Sequence, residues 1–336
     1  MINETSPKHF LKTRKGEVRI GEKVHYVSAK SWQTELKKLN KEIRFCVIGI
    51  PECVGILGNS GRPGAQNGWE AFLAEFLNIQ SNRFLSGNEF AILGSIDIDD
   101  IQEKAEKLAP GSEYYIQKLH LLCEEIDDLV EPVIQKVKAE GLIPIVIGGG
   151  QNNAYPIIKG VASTATKKKV NVINLDAHCD FRALEGRHSG NAFSYARQKM
   201  TLNRYFVFGL HQSYNNENML KSMDADEQVK YSFLENITYL ENMLADAISF
   251  VVDDQIQCGI EVDMDSIRSM PSSAISPTGF SLEQARLFVR KCAESVTPSY
   301  LHLAEGAPID ELQSILVGKS LACLVSDFAK VVLQKD

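Results

Sequence analysis

The chain has 336 residues, of which 44% are hydrophobic, enough for one large α/β domain or two ordinary domains with a buried core. Its net charge is −7 and it has no basic block large enough to neutralise a nucleic-acid backbone, which argues against a nucleic-acid partner. Seven cysteines without CxxC spacing argue against a disulfide framework and a zinc knuckle. The sequence has no run of 18 apolar residues, so we expect a soluble, cytoplasmic protein and no membrane partner.

Short apolar runs that are typical of buried strands alternate with helical patterns along the chain. The predicted strands are, in chain order, residues 43–51, 91–98, 143–149 and 170–178, then 204–211, ISFVVDD from Ile248, 257–265 and 298–306. Apolar residues at three- and four-residue spacing predict a long helix over 119–137 that Gly141 ends and that Pro132 bends or splits. A second helix is predicted over NNAYPIIKGVAS. This alternation indicates a parallel sheet covered by helices on both faces.

The chain shows no linker rich in Pro, Gly or Ser and no internal repeat. We therefore predict a single domain over residues 41–336. The first 40 residues are predicted to be an extension that is poorly ordered or covers a partner, as chain ends often are.

Polar residues follow several of the predicted strands, at the ends where ligands of parallel sheets gather. DAHCD places Asp176, His178 and Asp180 at alternate positions, so that their side chains point the same way on an extended chain. EVDMD repeats this arrangement with Asp263 and Asp265. Carboxylates with one imidazole suit Mn²⁺, Mg²⁺ or Fe²⁺, and in a site with two ions a bridging water becomes the nucleophile. The alternative is that both segments are acidic loops, with His178 a satisfied core or capping residue.

Five motifs along the chain resemble those of the ureohydrolases, which include arginase, agmatinase and formimidoylglutamase. They are GGG before Gln151, NLDAHCD, HSGNAF, EVDMD and LAEGAP, in the family's order and spacing, and the resemblance covers about residues 43 to 330. DAHCDFRALEGRHSGN and GGGQNNAY are most similar to formimidoylglutamase. The resemblance implies a three-layer α/β/α sandwich with a mainly parallel sheet of about eight strands, a binuclear manganese centre, and a homo-oligomer that is a trimer or hexamer.

The resemblance also implies a set of metal ligands. They are Asp176, His178, Asp180, Asp263 and Asp265, together with the residue directly after the glycines. That residue is a histidine in the family and Gln151 in this chain. An amide oxygen is neutral and a poorer donor than imidazole, so we expect Mn²⁺ to occupy two sites with weaker binding at the one that Gln151 serves. The alternative is that Gln151 only forms hydrogen bonds to the neighbouring loop.

The remaining site residues lie in these motifs or in the segment that joins two of them. Glu305 matches the family's carboxylate that receives the guanidinium or amidine group of the substrate, and Asp180 is expected to be catalytic as well as a ligand. His188 is expected near the pocket in proton transfer or substrate contact, unless it is an exposed loop residue. The candidates for substrate binding are Arg182, Arg187, Ser189, Asn191 and Glu305, although surface exposure is the more common state of an arginine.

The expected function is hydrolysis of a linear amidine or guanidine C–N bond by metal-activated hydroxide. The favoured substrate is formimidoylglutamate, which gives glutamate and formamide in histidine degradation. One alternative is a guanidine hydrolase of the arginase or agmatinase type that releases urea. Another is a member with weakened or no activity that serves as an assembly or regulatory subunit, because Gln151 replaces the usual histidine ligand.

Overall fold

Runs of branched aliphatic residues form the strands of one central sheet, because such side chains pack well on a pleated surface buried on both faces. The structure is a computed structural model that describes residues 2–335. Its ten strands are β1 (Ile2–Asn3), β2 (His25–Tyr26), β3 (Phe45–Gly49), β4 (Phe90–Ile96), β5 (Ile143–Ile147), β6 (Val170–Leu175), β7 (Leu202–Leu210), β8 (Val229–Phe233), β9 (Cys258–Asp263) and β10 (Pro298–Ala304).

The direction in which successive strands are added to the sheet reverses in its middle. The order is β1-β4-β3-β5-β10-β9-β6-β7-β8, with β2 also paired to β4, and all pairs but β1–β4 are parallel. The last two strands in the chain, β9 and β10, lie between β5 and β6. The carboxyl ends of β5, β10, β9 and β6 are therefore neighbours at one edge, which is where open α/β sheets bind their ligands.

Helices cover both faces of the sheet. They are α1 (Trp32–Leu39), α2 (Val54–Gly58), α3 (Gly68–Phe76), α4 (Asp99–Glu106), α5 (Tyr115–Ala139), α6 (Ala154–Thr164), α7 (Ala192–Gln198), α8 (Glu217–Asp224), α9 (Leu240–Val251), α10 (Leu282–Ser295) and α11 (Glu311–Lys335). Apolar residues of α3, α9, α10 and α11 pack against one face, and those of α4, α5, α6 and α7 against the other. The predicted three-layer sandwich is confirmed, since β3 to β10 form a parallel body of eight strands.

One predicted strand is wrong. Ile248 lies in α9, where Leu244, Ile248 and Val251 recur at helical spacing and are buried. A short apolar run does not by itself distinguish a buried helix from a strand. Sequence reading also missed β8, whose residues are mostly half-exposed. Pro132 does not split α5, which continues as one helix across it.

The first 40 residues contribute to the sheet. Ile2 and Asn3 pair with Ile96 and Ser95 at the end of β4, while β2 pairs with Ala91 and Ile92 near its start. These short strands cover an edge that would otherwise present unpaired backbone groups. Within residues 2–40, the predicted extension thus contributes two short strands to the central sheet.

No helix within residues 2–335 combines the length and the apolar character needed to span a bilayer. All seven cysteines are free thiols, and six of them are buried.

Candidate metal site and active-site pocket

The end of β6 delivers three candidate ligands. The Asp176 carboxylate accepts a hydrogen bond at Oδ1 from the main-chain N–H of His178 (2.7 Å), which turns the chain sharply after the strand. At its other oxygen it accepts from Nδ2 of Asn174 (2.8 Å). Asp180 has a φ of 46°, a left-handed conformation that is costly for a residue with a side chain and is often found at functional sites. Asp176 is fully buried and Asp180 is nearly so.

Two more candidate ligands, Asp263 and Asp265, lie at the C-terminal end of β9. The Asp263 carboxylate caps the short turn after the strand, because its Oδ1 accepts from the main-chain N–H of Asp265 (2.8 Å). Both aspartates are buried. Since β6 and β9 are neighbours in register, the two pairs of aspartates face each other across one edge of the sheet.

The five side chains form two ligand sets that share one residue. The first set is Asp176, His178 and Asp265, and the second is Asp176, Asp180 and Asp263, with ligand atoms within 4.8 Å of one another in each. Buried carboxylates at such distances repel one another unless a cation lies among them. A further indication is Oδ1 of Asp265, which is buried and has no hydrogen-bond partner among the described residues. These donors fit a pair of hard divalent cations.

The pKa values of the cluster reflect this crowding. Burial, followed by repulsion from Asp180 and Asp265, holds the pKa of Asp176 well above its usual range. Burial raises the pKa of Asp180 to about 7, with His178 opposing the rise and Asp265 adding to it. Burial alone would lower the pKa of His178, but Asp265 and Asp176 raise it to about 10. A cation would replace the protons that these groups otherwise hold.

Gln151 begins the short turn after the glycines that follow β5. Its side chain is fully buried, and its Nε2 donates to Oε2 of Glu261 (3.0 Å). Its main-chain N–H donates to Oε1 of Glu305 (2.8 Å). Its Oε1 is buried and has no hydrogen-bond partner in the part of the chain that the structure describes. Such an acceptor is costly to bury unless a donor or a cation meets it. Gln151 thus joins Glu261 of β9 to Glu305 and has one amide oxygen without a partner among the described residues.

Glu305 follows β10 and faces the same edge. Its φ is 66°, again a left-handed conformation of a residue with a side chain. One carboxylate oxygen accepts from Gln151 and the other from the hydroxyl of Ser273. Burial raises the pKa of Glu305 to about 8, although both hydrogen bonds lower it, and Asp265 and Asp180 raise it further. A planar cation with several N–H donors would favour its charged form.

A cavity of about 180 Å³ opens onto these groups. Its lining includes Asp263, Asp265, His178, Asp180 and Glu305, together with Arg182, Ser189, Asn59, Tyr214 and Ser273. Sequence reading missed Asn59, Ser273 and Tyr214. Asn59 lies in a glycine-rich segment and Ser273 in a loop without a distinctive motif, and only the fold brings the two side chains to the cavity. The ring of Tyr214 stacks on that of His178, with centroids 5.5 Å apart.

The predicted substrate-binding residues separate into two groups. Arg182 and Ser189 line the cavity. The Nε of Arg182 donates to Glu185 (3.1 Å), and within residues 2–335 its Nη atoms have no hydrogen-bond partner. The hydroxyl of Ser189 accepts from Nδ2 of Asn59 (3.3 Å). Both are therefore placed to meet a polar substrate tail.

Arg187 and Asn191 lie outside the cavity lining. Arg187 is 1% exposed and donates to both oxygens of Asp127 (2.7 and 3.2 Å), to Oδ1 of Asn191 and to the main-chain carbonyl of Asn152. The ring of Tyr155 lies 4.7 Å from its guanidinium carbon. These contacts use the guanidinium inside the protein, which argues against the prediction that Arg187 and Asn191 bind substrate. Their contacts instead join the GRHSGN loop to the turn that carries Gln151.

His188 is buried in a neighbouring cavity, not exposed on a loop. Its Nδ1 accepts from the main-chain N–H of Gly190 (3.1 Å), and its Nε2 lies 3.2 Å from Glu185. Its ring lies 5.2 Å from that of His120. Burial, followed by His120, lowers the pKa of His188 to about 4. His188 therefore lines a second cavity, which shares Arg182 and Asn59 with the first, and its burial favours the neutral imidazole.

Comparison with known proteins places these observations in a family. A model of the arginase family matches residues 43–325. The chain is similar to the formimidoylglutamase of Macrococcus caseolyticus, with 25% identity over 280 residues, 81% of each chain. It is also similar to that of Clostridium tetani, with 29% identity over 261 residues, 75% of this chain and 70% of the relative. A crystal structure of Trypanosoma cruzi formiminoglutamase with Mn²⁺ matches with a TM-score of 0.71 at 20% identity, covering 93% of this chain and 99% of the other.

Proposed function

We propose that this chain, which belongs to the arginase family, hydrolyses the amidine C–N bond of N-formimido-L-glutamate and releases glutamate and formamide. The observation that carries the proposal is the shared cavity, in which Glu305 faces two ligand sets joined by Asp176. The names of the bacterial relatives support this choice of substrate. Net addition of water to the amidine carbon breaks the bond to the glutamate nitrogen, which takes up a proton.

We propose two Mn²⁺ ions as the cofactor. One would be held by Asp176, His178 and Asp265, and the other by Asp176, Asp180 and Asp263 with Oε1 of Gln151 as an additional neutral ligand. When bound, such ions act as Lewis acids that make a coordinated water acidic near neutral pH. The manganese in the T. cruzi structure supports this identity. Because an amide is a weaker donor than imidazole, the second site is the weaker of the two.

The residues around the cavity bind the substrate and transfer protons. Glu305 binds the amidinium with its carboxylate, which Gln151 and Ser273 hold in place. The Asp180 carboxylate would accept a proton from the water that adds to the amidine carbon and pass it to the leaving nitrogen. Arg182 and Ser189, which line the same cavity, bind the carboxylates of the glutamate moiety. In this proposal His188 does not ligate metal. It supports the loop on which Ser189 lies.

A turnover panel tests the proposal. The Mn²⁺-loaded protein is offered formimidoylglutamate, arginine, agmatine and guanidinobutyrate, and formamide and urea are assayed separately. Formamide from formimidoylglutamate without urea from the other three is the expected result. Urea from a guanidine substrate would replace the proposed substrate with one of the arginase type. No turnover of any substrate by a protein with two bound ions would favour an assembly or regulatory subunit. Light scattering would test the further proposal, made from the resemblance, that the protein is a trimer or hexamer.

A further inference from the structure

A second row of buried polar side chains lies directly beneath the candidate ligands, on three neighbouring strands. Asn174 of β6 and His302 of β10 both pair in register with Glu261 of β9, and none of the three has exposed surface. Side chains two residues apart on a strand share a face. Asn174 therefore lies below Asp176, and Glu261 below Asp263. Asn174 and Glu261 are the first residues of NLDAHCD and EVDMD, but neither was assigned a role from the sequence, and their position beneath the ligands suggests that the row supports them.

Glu261 is the centre of this row. Its Oε1 accepts from the hydroxyl of Tyr300 (2.7 Å), and its Oε2 accepts from Nδ1 of His302 (2.6 Å) and from Nε2 of Gln151 (3.0 Å). Tyr300, His302 and Gln151 are all fully buried. A buried carboxylate is tolerated when its lone pairs are satisfied in this way. Glu261 is thus held rigidly by three donors from two other segments.

This arrangement determines the orientation of the Gln151 amide. Oε2 of Glu261 accepts from Nδ1 of His302 and meets the NH₂ end of the Gln151 amide, because an amide oxygen cannot donate to it. The oxygen of Gln151 is then the end without a partner. At the same time the main-chain N–H of Gln151 donates to Glu305, which lines the cavity. Gln151 is therefore fixed between the strand of Asp263 and the cavity wall, with its acceptor unoccupied.

We propose that Glu261 is a positioning residue that orients Gln151 so that its Oε1 serves as a ligand of the ion held by Asp176, Asp180 and Asp263. The inference rests on the proposed two-metal function and specifies how a neutral amide replaces an imidazole there. Hydrogen bonds to residues outside the ligand set commonly fix ligand orientation and strengthen metal binding. Glu261 has no contact with substrate in this proposal.

Mn²⁺ binding, measured by calorimetry and by the electron paramagnetic resonance of coupled ion pairs, tests the role of Glu261. Glu261→Gln should weaken the weaker Mn²⁺ site about tenfold or more, in the range seen for such supporting residues. Gln151→Met should do the same, and the double variant should bind no more weakly than Gln151→Met alone. Tyr300→Phe is the matched control, because it removes a donor to the other oxygen of Glu261. It should leave Mn²⁺ affinity within about twofold even where it lowers the melting temperature.

A double variant that exchanges the two residues distinguishes loss of the hydrogen bond from a failure to fold. In the pair Gln151→Glu with Glu261→Gln, the amide at 261 donates to a carboxylate at 151, and a ligand oxygen is restored. Binding of two Mn²⁺ ions should return in this pair but not in Gln151→Glu alone, where two carboxylates would face each other.

Wild-type Mn²⁺ affinity in Glu261→Gln, or additive losses in the double variant, would overturn the positioning role. These readouts are independent of substrate. A protein with the expected Mn²⁺ behaviour and no turnover would contradict the proposed function and leave the role of Glu261 intact.

Discussion

The Nδ1 of His178 lies 2.9 Å from Oδ2 of Asp265, although the two residues come from the ends of different strands. The same imidazole nitrogen is 3.8 Å from the carboxylate of Asp176. Three groups thus converge on a position that either a proton or a cation can occupy. Burial opposes a charged His178, yet the two aspartates raise its pKa to about 10. Competition between protons and metal follows from this geometry.

Mn²⁺ affinity should increase as the pH rises from 6 to 8. Binding must displace a proton from His178, whose pKa is about 10, and at lower pH from Asp180, whose pKa is about 7. Calorimetry at several pH values, in buffers of different ionisation enthalpy, would measure both the affinity and the protons released. Affinity that does not change over this range would contradict the assigned ligands.

The metal-free protein should lose stability as the pH rises from about 6.5 to 9. A group whose pKa is raised in the folded state stabilises it below the unfolded pKa, and that contribution is lost as the pH rises through the folded value. His178 loses its contribution between 6.5 and about 10, and Glu305 between 4.5 and about 8. His188, whose pKa is lowered, changes the stability of the fold only below pH 6.5. Melting temperatures in chelator should fall over this window, while Mn²⁺-loaded protein should change less. An equal fall in both forms would argue against the cluster as the source.

Gln151→His should bind Mn²⁺ more tightly and turn over faster than the natural chain. Imidazole is a better donor than an amide oxygen, and Glu261 is positioned to accept from its second nitrogen. Metal content after dialysis and kcat for formimidoylglutamate would measure the two effects. Gln151→Asn, which keeps the amide but shortens the side chain, is the control and should bind more weakly. An unchanged rate and metal content in Gln151→His would rule out a ligand role for this position.

Arg187→Met should destabilise the fold by about 3–5 kcal/mol, because it leaves the buried Asp127 without its cation. Chemical denaturation measures the loss. Lys104→Met removes the exposed ion pair with Glu125 and should cost less than about 1 kcal/mol. Arg182→Met, at the cavity, should leave the unfolding free energy unchanged and raise KM for formimidoylglutamate. A raised KM in Arg187→Met with unchanged stability would reverse the roles assigned to the two arginines.

Local patterns predicted the parts of the fold and site that depend on neighbouring residues. The alternation in DAHCD and EVDMD is a property of an extended chain, and the structure brings these residues together at one edge of the sheet. The same alternation continues backwards to Glu261, which sequence reading left unused. The end of α9 resembles a short strand in sequence, because Ile248, Phe250, Val251 and Val252 are apolar and lie close together.

Long-range partners decided what the sequence did not reveal. Arg187 is buried because Asp127, 60 residues earlier on α5, meets it there. No local pattern distinguishes Arg187 from Arg182, five residues before it, which lines the cavity. Ser273 likewise acquires its role only when its loop reaches Glu305.

The number of Mn²⁺ ions bound per chain tests the central claim most directly. The chain should bind about two ions. Asp176→Asn changes the residue common to both ligand sets, so this variant should bind at most one ion, and with lower affinity. Elemental analysis of both proteins after equilibrium dialysis gives these numbers. A chain that binds no Mn²⁺, or a variant that still binds two ions with unchanged affinity, would show that these carboxylates do not form a metal centre.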